Sequence, residues 1–545
     1  MTDFDAQDSE FHAEPYPMYA ELRAHAPVFW YEDMGFWLLT RYRDVAAAVK
    51  NPRIFSHESF QAEPVSRHDP ADSRQALVVD SFSKIMLYKD GEAHARMRRQ
   101  SNRTFTPGEV GARRSFIEHI CRDLLQQCRE EGSFDYAQQF ATVVPSMVIA
   151  DYLGVAPKDR DEIRELADKF SVIFEPFLSE QDRTQMLLGS VPLVEYFDKA
   201  IEDRRRTPKD DFVSLLVSAS EDDGGMSTDE LRGNLLHLIV AGNETTTNLL
   251  EHLIVQLTRF PELRAAVRED PQMNKQFIEE TLRYEAPIQM MGRMTTTAVE
   301  IDGVTIPEGG LVALVVGSAN RDEAKFPDPD TFDPIRKDKA HMSFGQGSHF
   351  CLGAPLARLE ASVALDMLCG EFRDLVVDPD ATPTWKPDQL LRGYTHLQVL
   401  RRDGVVPQNA LPPKGISMLT YTEPPERVAQ SQGEGNPALT AFANLDDFLA
   451  QLPETGPANP NEDGEKEQLG AVTGVHRFVE APGDSETIRW HFVESGDPSN
   501  PTVVFLHGVP DSWWQWHYAL EYLSDRYHCV ADRPEGLWPV RQAQR

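Results

Sequence analysis

Cysteine is scarce in this chain. Only five occur in 545 residues, at Cys121, Cys128, Cys351, Cys369 and Cys529. None forms a CxxC pair, and no ladder of spacings is present. That excludes a disulfide-rich scaffold, and it argues against an iron–sulfur cysteine cluster. Reduced thiols and a cytoplasmic home are expected. Long apolar runs are also missing: no uninterrupted stretch reaches the roughly 18 residues of a membrane span. The first residues, MTDFDAQDSEFHAEPYPMY, are acidic and lack the apolar core of a signal peptide or anchor. Positive charge is in short supply, with 54 Lys and Arg against 87 Asp and Glu, a formal net charge of -33. Such a surface argues against non-specific binding to nucleic acid or to an anionic membrane. No flavin or Gly-rich nucleotide motif occurs, so no fused reductase is expected.

What is present begins with amphipathic helical patterns, dense from residue 1 to about 403. Short strand signals lie near both ends of that stretch. VEIDGVTIPEGGLVALVV reads as two strands around turns at Asp302-Gly303 and Glu308-Gly309-Gly310. This part is expected to be mainly α with small β-sheets. Residues 404–470 are rich in Pro, Gly, Asn and acids and read as linker. Within them ALTAFANLDDFLAQL has the pattern of one short amphipathic helix. From residue 471 strand patterns return in VHRFVEA, TIRWHFVES and PTVVFLHG.

The most informative segment is FGQGSHFCLGAPLAR, Phe344 to Arg358. A lone cysteine is usually a small buried hydrophobe, but the neighbours of Cys351 point elsewhere. Gly345 and Gly347 permit a tight loop with close backbone approach to a flat ligand. Gly353 is expected to allow close packing behind the sulfur. A helix follows, with Pro355 in its first turn. Free N–H groups at a helix start favour a thiolate there, and a thiolate is a strong ligand for haem iron.

The pattern Phe-Gly-x-Gly-x-His-x-Cys-x-Gly resembles the haem-binding signature of the cytochrome P-450 monooxygenases, and every fixed position matches. The resemblance implies a cytochrome P-450 fold, haem b (iron protoporphyrin IX) as cofactor, and Cys351 as axial ligand to the metal. It places Phe344 and Gly345 on the thiolate side of the ring and His349 at a propionate. Three further motifs follow the family's order. In GEAHARMRRQSNRTFTP, His94 and Arg98 match propionate contacts, as does Arg293 in MGRMTTTAVEI. In EETLRYEAP, Glu280 and Arg283 match a structural pair that ties to an arginine before the cysteine loop, here Arg336.

The third motif is AGNETTTN, Ala241 to Asn248. Ser227 and Glu230 form an S-x-x-E capping box, and one helix is expected from about Thr228 to Thr258, roughly 45 Å at about 1.5 Å per residue. Gly242 inside it costs about 1 kcal/mol relative to alanine. By the resemblance, Ala241 and Gly242 leave room for dioxygen over the haem. Thr245 and Glu244 match the family's alcohol and acid. Splitting an O–O bond needs two protons, which a hydroxyl and a nearby carboxylate can relay. Substrate contacts implied by analogy are Leu238, Ile288, Met290, Met291 and residues of VVDSFSKIML, around an apolar pocket.

Soluble bacterial members draw electrons from a ferredoxin or flavodoxin with its reductase. Arg96, Arg99, Arg103 and Arg358 are candidates for the docking patch. VVFLHGVPDSWWQWHYALEYLSDRYHCV resembles the start of an α/β-hydrolase of the epoxide hydrolase group, through His507-Gly508-Val509-Pro510 and Trp513, Trp514 and Trp516. No G-x-S-x-G or G-x-D-x-G elbow and no late histidine follow, so 471–545 is expected to be incomplete and inactive as a hydrolase. The reading is a haem-thiolate monooxygenase, hydroxylating or epoxidising a small apolar organic substrate. Alternatives are a peroxide-driven haem-thiolate oxygenase, a haem-binding protein without turnover, and a hydrolase.

Overall fold

The computed structural model describes residues 9–58, 72–171, 180–209, 211–221, 225–386, 388 and 390–402, and beyond them five strands between Lys466 and Arg533. Two compact units divide the chain, Met1–Ser417 and Met418–Arg545.

The first unit is mainly helical, as the amphipathic patterns require. Its largest core is built where Thr228–Ala241, Glu244–Arg259 and Ala354–Cys369 pack among the helices Arg114–Glu131, Val143–Tyr152 and Pro271–Tyr284. A five-stranded sheet stands beside this core, ordered Val28–Tyr31, Phe36–Leu39, Leu311–Val315, Met290–Thr295, Phe55–Ser56. Its only parallel pair joins Phe36–Leu39 to Leu311–Val315. Alternation along Met290–Thr295 sends neighbouring side chains to opposite faces. Met290 therefore packs with Tyr16, Tyr19 and Leu38, while Met291 packs against the opposite cluster around Val312 and Met342. Met290 is 3% exposed in that tyrosine-lined core, which removes it from the substrate contacts expected above.

The Asp302-Gly303 turn is confirmed: both residues have positive φ, 51° and 80°. It joins Val299–Ile301 to Val304–Ile306, and Leu311–Val315 follows the second turn. The segment thus holds three strands rather than two.

The single long helix expected from Thr228 is two helices, Thr228–Ala241 and Glu244–Arg259. The capping box is present, with the Ser227 hydroxyl accepting from Glu230 N at 3.2 Å and Glu230 Oε2 accepting from Ser227 N at 2.8 Å. The break falls at Gly242 and Asn243. Asn243 N donates to Val240 O at 3.0 Å, a three-residue bond that tightens the turn. The Thr245 hydroxyl donates to Ala241 O at 3.0 Å.

In the second unit a sheet is ordered Lys466–Leu469, Val472–Pro482, Thr487–Ser495, His528–Arg533, Thr502–Phe505. Its last pair is parallel and the others antiparallel. The strand Lys466–Leu469 lies inside the stretch expected to be linker. The rest of 404–465, with ALTAFANLDDFLAQL, and the His507–Trp516 loop lie outside the described residues. Among the described residues no helix is long and apolar enough to cross a membrane.

Candidate active site

Cys351 closes a loop held from both ends. Its N–H donates to Phe344 O at 2.8 Å, and Gly345 N donates to Met342 O at 2.8 Å. Gly345 and Gly347 have φ of 66° and 69°, where a side chain is strained, so this reversal demands glycine. The loop is tied to the core by Asn320, which accepts from Met342 N at 2.7 Å and donates to the Ser343 hydroxyl at 2.9 Å. The helix Ala354–Cys369 starts immediately after. Burial pushes the Cys351 thiol up, while the N–H groups of Gly353 and Ala354 and the guanidinium of Arg98 pull it down. The structure corrects the reading of Gly353. Its φ is -80°, and a Cβ there would meet nothing within 4 Å. Its contribution is the N–H at the sulfur, not close packing. Phe344 lies under Arg358, whose guanidinium carbon is 4.4 Å from the ring centroid.

Beside this loop stands a cluster of buried and half-buried donors. The rings of His94 and His349 are 3.9 Å apart between centroids, and His57 stacks on His349 at 4.0 Å. Burial drives all three imidazoles toward the neutral form: His94 to about 4, His349 to about 3, and His57 well below its ordinary value. Burial also lowers Arg293 to about 9. Arg293 is 3% exposed, and its one side-chain hydrogen bond among the described residues goes to Gly292 O at 2.6 Å. Arg98 donates to Asn102 at 3.0 Å. Neither arginine has an ion pair among the described residues, and His57 Nε2 is buried without a partner.

A buried guanidinium without an anion, as at Arg293, is costly, and Arg98 is half-buried beside it. Two carboxylates entering from the cysteine side would meet Arg98, Arg293, His94 and His349, and these residues fit the propionates of a haem held by Cys351. The four expected donors do converge. His57 was missed by sequence reasoning, since FSHES carries no signature. Asp90 was missed as well. Its Oδ2 accepts from the Ser56 hydroxyl at 2.6 Å and from His57 N at 3.1 Å, and its Oδ1 stands 3.8 Å from His349 Nε2.

Glu280 and Arg283 pair inside the protein. Nε and Nη2 of Arg283 reach the two carboxylate oxygens at 2.9 and 2.8 Å, and both side chains are at most 3% exposed. Arg283 also donates to the carbonyls of Asn320, Pro329 and Thr331, and Arg336 Nε approaches Glu280 at 3.5 Å. This frame holds the segment that leads into the cysteine loop.

Glu244 and Thr245 open the helix Glu244–Arg259, and both are partly exposed, as is Ala241. A Cβ on Gly242 would lie 2.8 Å from Cγ1 of Ile149. The space beside Gly242 is thus occupied by Ile149, which gives the glycine a packing reason that the sequence did not reveal. Three of the basic residues expected to form a docking patch carry ion pairs, Arg99 through Glu92 Oε1 at 3.2 Å. Arg96 binds Glu230 at 2.5 Å, and Arg358 binds both oxygens of Glu279 at 2.6 and 2.8 Å. Phe350, next to the cysteine, is 40% exposed.

Comparison with known proteins agrees with this geometry. The family model "Cytochrome P-450" matches residues 37–399. The chain is 37% identical to 6-deoxyerythronolide B hydroxylase of Saccharopolyspora erythraea over 405 residues, covering 73% of this chain and 99% of that protein. Among solved structures it resembles the bacillaene polyketide synthase cytochrome P-450 PksS of Bacillus subtilis 168, with TM-score 0.66 and 32% identity, covering 73% of this chain and 100% of that one. It also resembles P-450 BioI in complex with an acyl carrier protein ligated to hexadec-9Z-enoic acid, with TM-score 0.66 and 30% identity over 73% and 100% of the two chains. Proteins of this family are haem b monooxygenases, and the chain belongs to the cytochrome P-450 family.

Proposed function

We propose that this enzyme inserts one atom of dioxygen into an apolar organic substrate, by hydroxylation or epoxidation, with two electrons from a separate ferredoxin or flavodoxin and its reductase. The observation that carries the reading is the pairing of the Cys351 loop with a cluster of imidazoles and guanidiniums beside it, in which neither Arg98 nor Arg293 has an ion pair among the described residues. Haem b, when bound, supplies the site for dioxygen and the chemistry of O–O cleavage. Cys351 would hold its metal, with the Gly353 and Ala354 N–H groups keeping charge on the sulfur. Arg98, Arg293, His94 and His349 would bind its carboxylates, Phe344 and Gly345 would lie along the thiolate side, and His57 joins this set.

The chain's own contribution to turnover lies on the other side. Ala241 and Gly242 are small residues at a helix break; Ile149 fills the Cβ side of Gly242, so dioxygen would sit by the partly exposed Ala241. The Thr245 hydroxyl spends its proton on Ala241 O, so its lone pairs can accept from a water. Glu244, one residue earlier and partly exposed, can pass that water a proton from solvent. Substrate would lie near Leu238, Met291 and the segment Val78–Leu87. The dependence of turnover on Thr245 separates this reading from a peroxide-driven one.

Electron donors would dock around Phe350 and the exposed Arg99 and Arg103. Reversal of these two arginines is expected to slow reduction, and an unchanged rate would remove them from the interface. The acidic composition and the free thiols of Cys121, Cys128, Cys351 and Cys369 support a cytoplasmic setting. We read residues 471–545 as the opening of an α/β-hydrolase-like domain, a reading supported by an antiparallel hairpin leading into a parallel strand pair.

The first test is the spectrum of the purified, dithionite-reduced protein with carbon monoxide. A Soret band at the long wavelength of thiolate-ligated haem supports the reading. A band at the shorter wavelength of histidine or thiol ligation would overturn it.

A further inference from the structure

The helix Pro271–Tyr284 carries two adjacent acids, and each holds a different arginine. Glu280 pairs with Arg283 inside the protein. Glu279 reaches the cysteine loop instead. Arg358 Nε donates to its Oε1 at 2.6 Å, and Arg358 Nη2 to its Oε2 at 2.8 Å. His341 Nε2 lies 3.1 Å from the same Oε2. His341 comes ten residues before Cys351 and Arg358 seven residues after it. One carboxylate therefore clasps the loop at both ends. The arginine contact is two-pronged, the strong form of such a pair. Burial raises the Glu279 carboxyl, but the bonds from Arg358 and His341 bring it down to about 2, so it is ionised at neutral pH.

The same guanidinium stands over Phe344, with its central carbon 4.4 Å from the ring centroid, a cation–π distance. Phe344 in turn accepts the N–H of Cys351 on its carbonyl at 2.8 Å. The chain of contacts from the helix inward is carboxylate, guanidinium, ring, cysteine. Burial raises the Cys351 thiol, and Arg358 joins Arg98 as a guanidinium whose charge lowers it. A surface arginine free to swing in water would act weakly, screened by solvent and salt. Arg358 is held by two bonds to a half-buried acid, so its charge stays at one place beside the sulfur.

We propose that Glu279 and Arg358 are a fixed charge pair that sets the reduction potential of the Cys351 site, with Arg358 easing reduction and Glu279 restraining it. The proposal rests on the monooxygenase reading. Each electron lost by the redox partner is gained by the haem-loaded site, and no bond is made or broken in that step. The electron arrives beside a sulfur that already carries negative charge. A neighbouring cation favours its arrival and a neighbouring carboxylate opposes it. Both are positioning residues, acting on Cys351 through charge and through the seat of Phe344. Arg358 is thereby assigned a partner within its own chain and a task distinct from docking.

The test is a spectroelectrochemical titration of the haem-loaded full chain, which needs no organic substrate. Arg358→Gln leaves Glu279 as a bare carboxylate, and Glu279→Gln leaves Arg358 uncompensated. The first is expected to lower the reduction equilibrium constant at least threefold and the second to raise it at least threefold. That is about 28 mV in each direction, at 59 mV per tenfold change for one electron. Arg358→Lys keeps the charge and should stay within twofold of the unaltered protein. The infrared stretching band of carbon monoxide on the reduced protein should move to lower frequency in Arg358→Gln and to higher frequency in Glu279→Gln, because a more anionic sulfur pushes more electron density onto the ligand. A clasp with a merely structural role would loosen the loop in both variants and move both readings the same way. Shifts of one sign, or none, would overturn the proposal, as would Arg358→Lys matching Arg358→Gln. Should Arg358→Gln fail to hold haem, a raised constant in Glu279→Gln with Arg358→Lys unmoved is the expected result, and an unmoved Glu279→Gln overturns it. A thiolate-type carbon monoxide spectrum of the unaltered protein keeps a failed charge pair separate from a failed enzyme assignment.

Discussion

His94 and His349 lie face to face, with ring centroids 3.9 Å apart and planes inclined by 31°. One comes from the helix Gly91–Asn102 and the other from the cysteine loop. Their stacking brings a distant helix to the proposed ligand face of Cys351, and burial holds both rings neutral. That has a consequence for acid stability. In the unfolded chain histidines protonate near 6.5. In the folded chain without haem, His94 resists protonation to about 4 and His349 to about 3. Between these values the unfolded state binds more protons, so stability falls as pH falls. The melting temperature of the haem-free protein is expected to drop from pH 6.5 toward pH 4. Replacing both histidines by glutamine should flatten that slope.

Replacing Cys351 by serine is expected to abolish the long-wavelength carbon monoxide band. Gly353 and Ala354 would still present their N–H groups, but to a hydroxyl that stays protonated. Turnover should fall to background, and the absorption spectrum reads the outcome directly.

Thr245→Val removes the hydroxyl and keeps the shape. Positioned proton-transfer groups contribute about 10²-fold or more. Product formed per electron pair is expected to fall at least tenfold, with hydrogen peroxide taking its place, and Thr245→Ser should restore most of it. Unchanged coupling would favour a peroxide-driven enzyme.

Arg283→Leu leaves Glu280 buried beside a lost partner and frees three carbonyls. Breaking a buried pair from one side costs about 3–5 kcal/mol. Chemical denaturation should show a loss of that order together with weakened haem retention. Lysine at this position cannot reproduce the bidentate contact and is expected to recover only part.

Gly242→Ala places a methyl 2.8 Å from Cγ1 of Ile149. Overpacking of this kind costs about 1–3 kcal/mol. The double variant Gly242→Ala with Ile149→Ala should lose less than the sum of the two single changes, since each relieves the other.

Much of the site is local in sequence, and that part was legible. The loop around Cys351 needs glycine at two positive φ values and a helix directly after it, all within 15 residues of Phe344. The capping box at Ser227 and the Glu280–Arg283 pair lie three residues apart on their helices, a spacing that sets their contact. Chemistry confined to a few turns of chain is written in the order of residues.

Contacts across the chain were decided elsewhere. Nothing near His57 marks it for a place on His349, and nothing near Ile149 marks it for the space beside Gly242. Met290 and Met291 look equivalent in sequence, yet strand alternation sends them to different cores. Arg96 and Arg358 look like free surface charge until Glu230 and Glu279 are brought to them. Whether Asn248 and Glu251 face solvent or lie sealed under Gly393 depends on a strand more than a hundred residues later. The local pattern determines which elements form and which side chains share a face. Only packing of remote elements settles what each face meets, because burial, and with it the charge state and hydrogen bonding of every polar group, belongs to both partners of a contact.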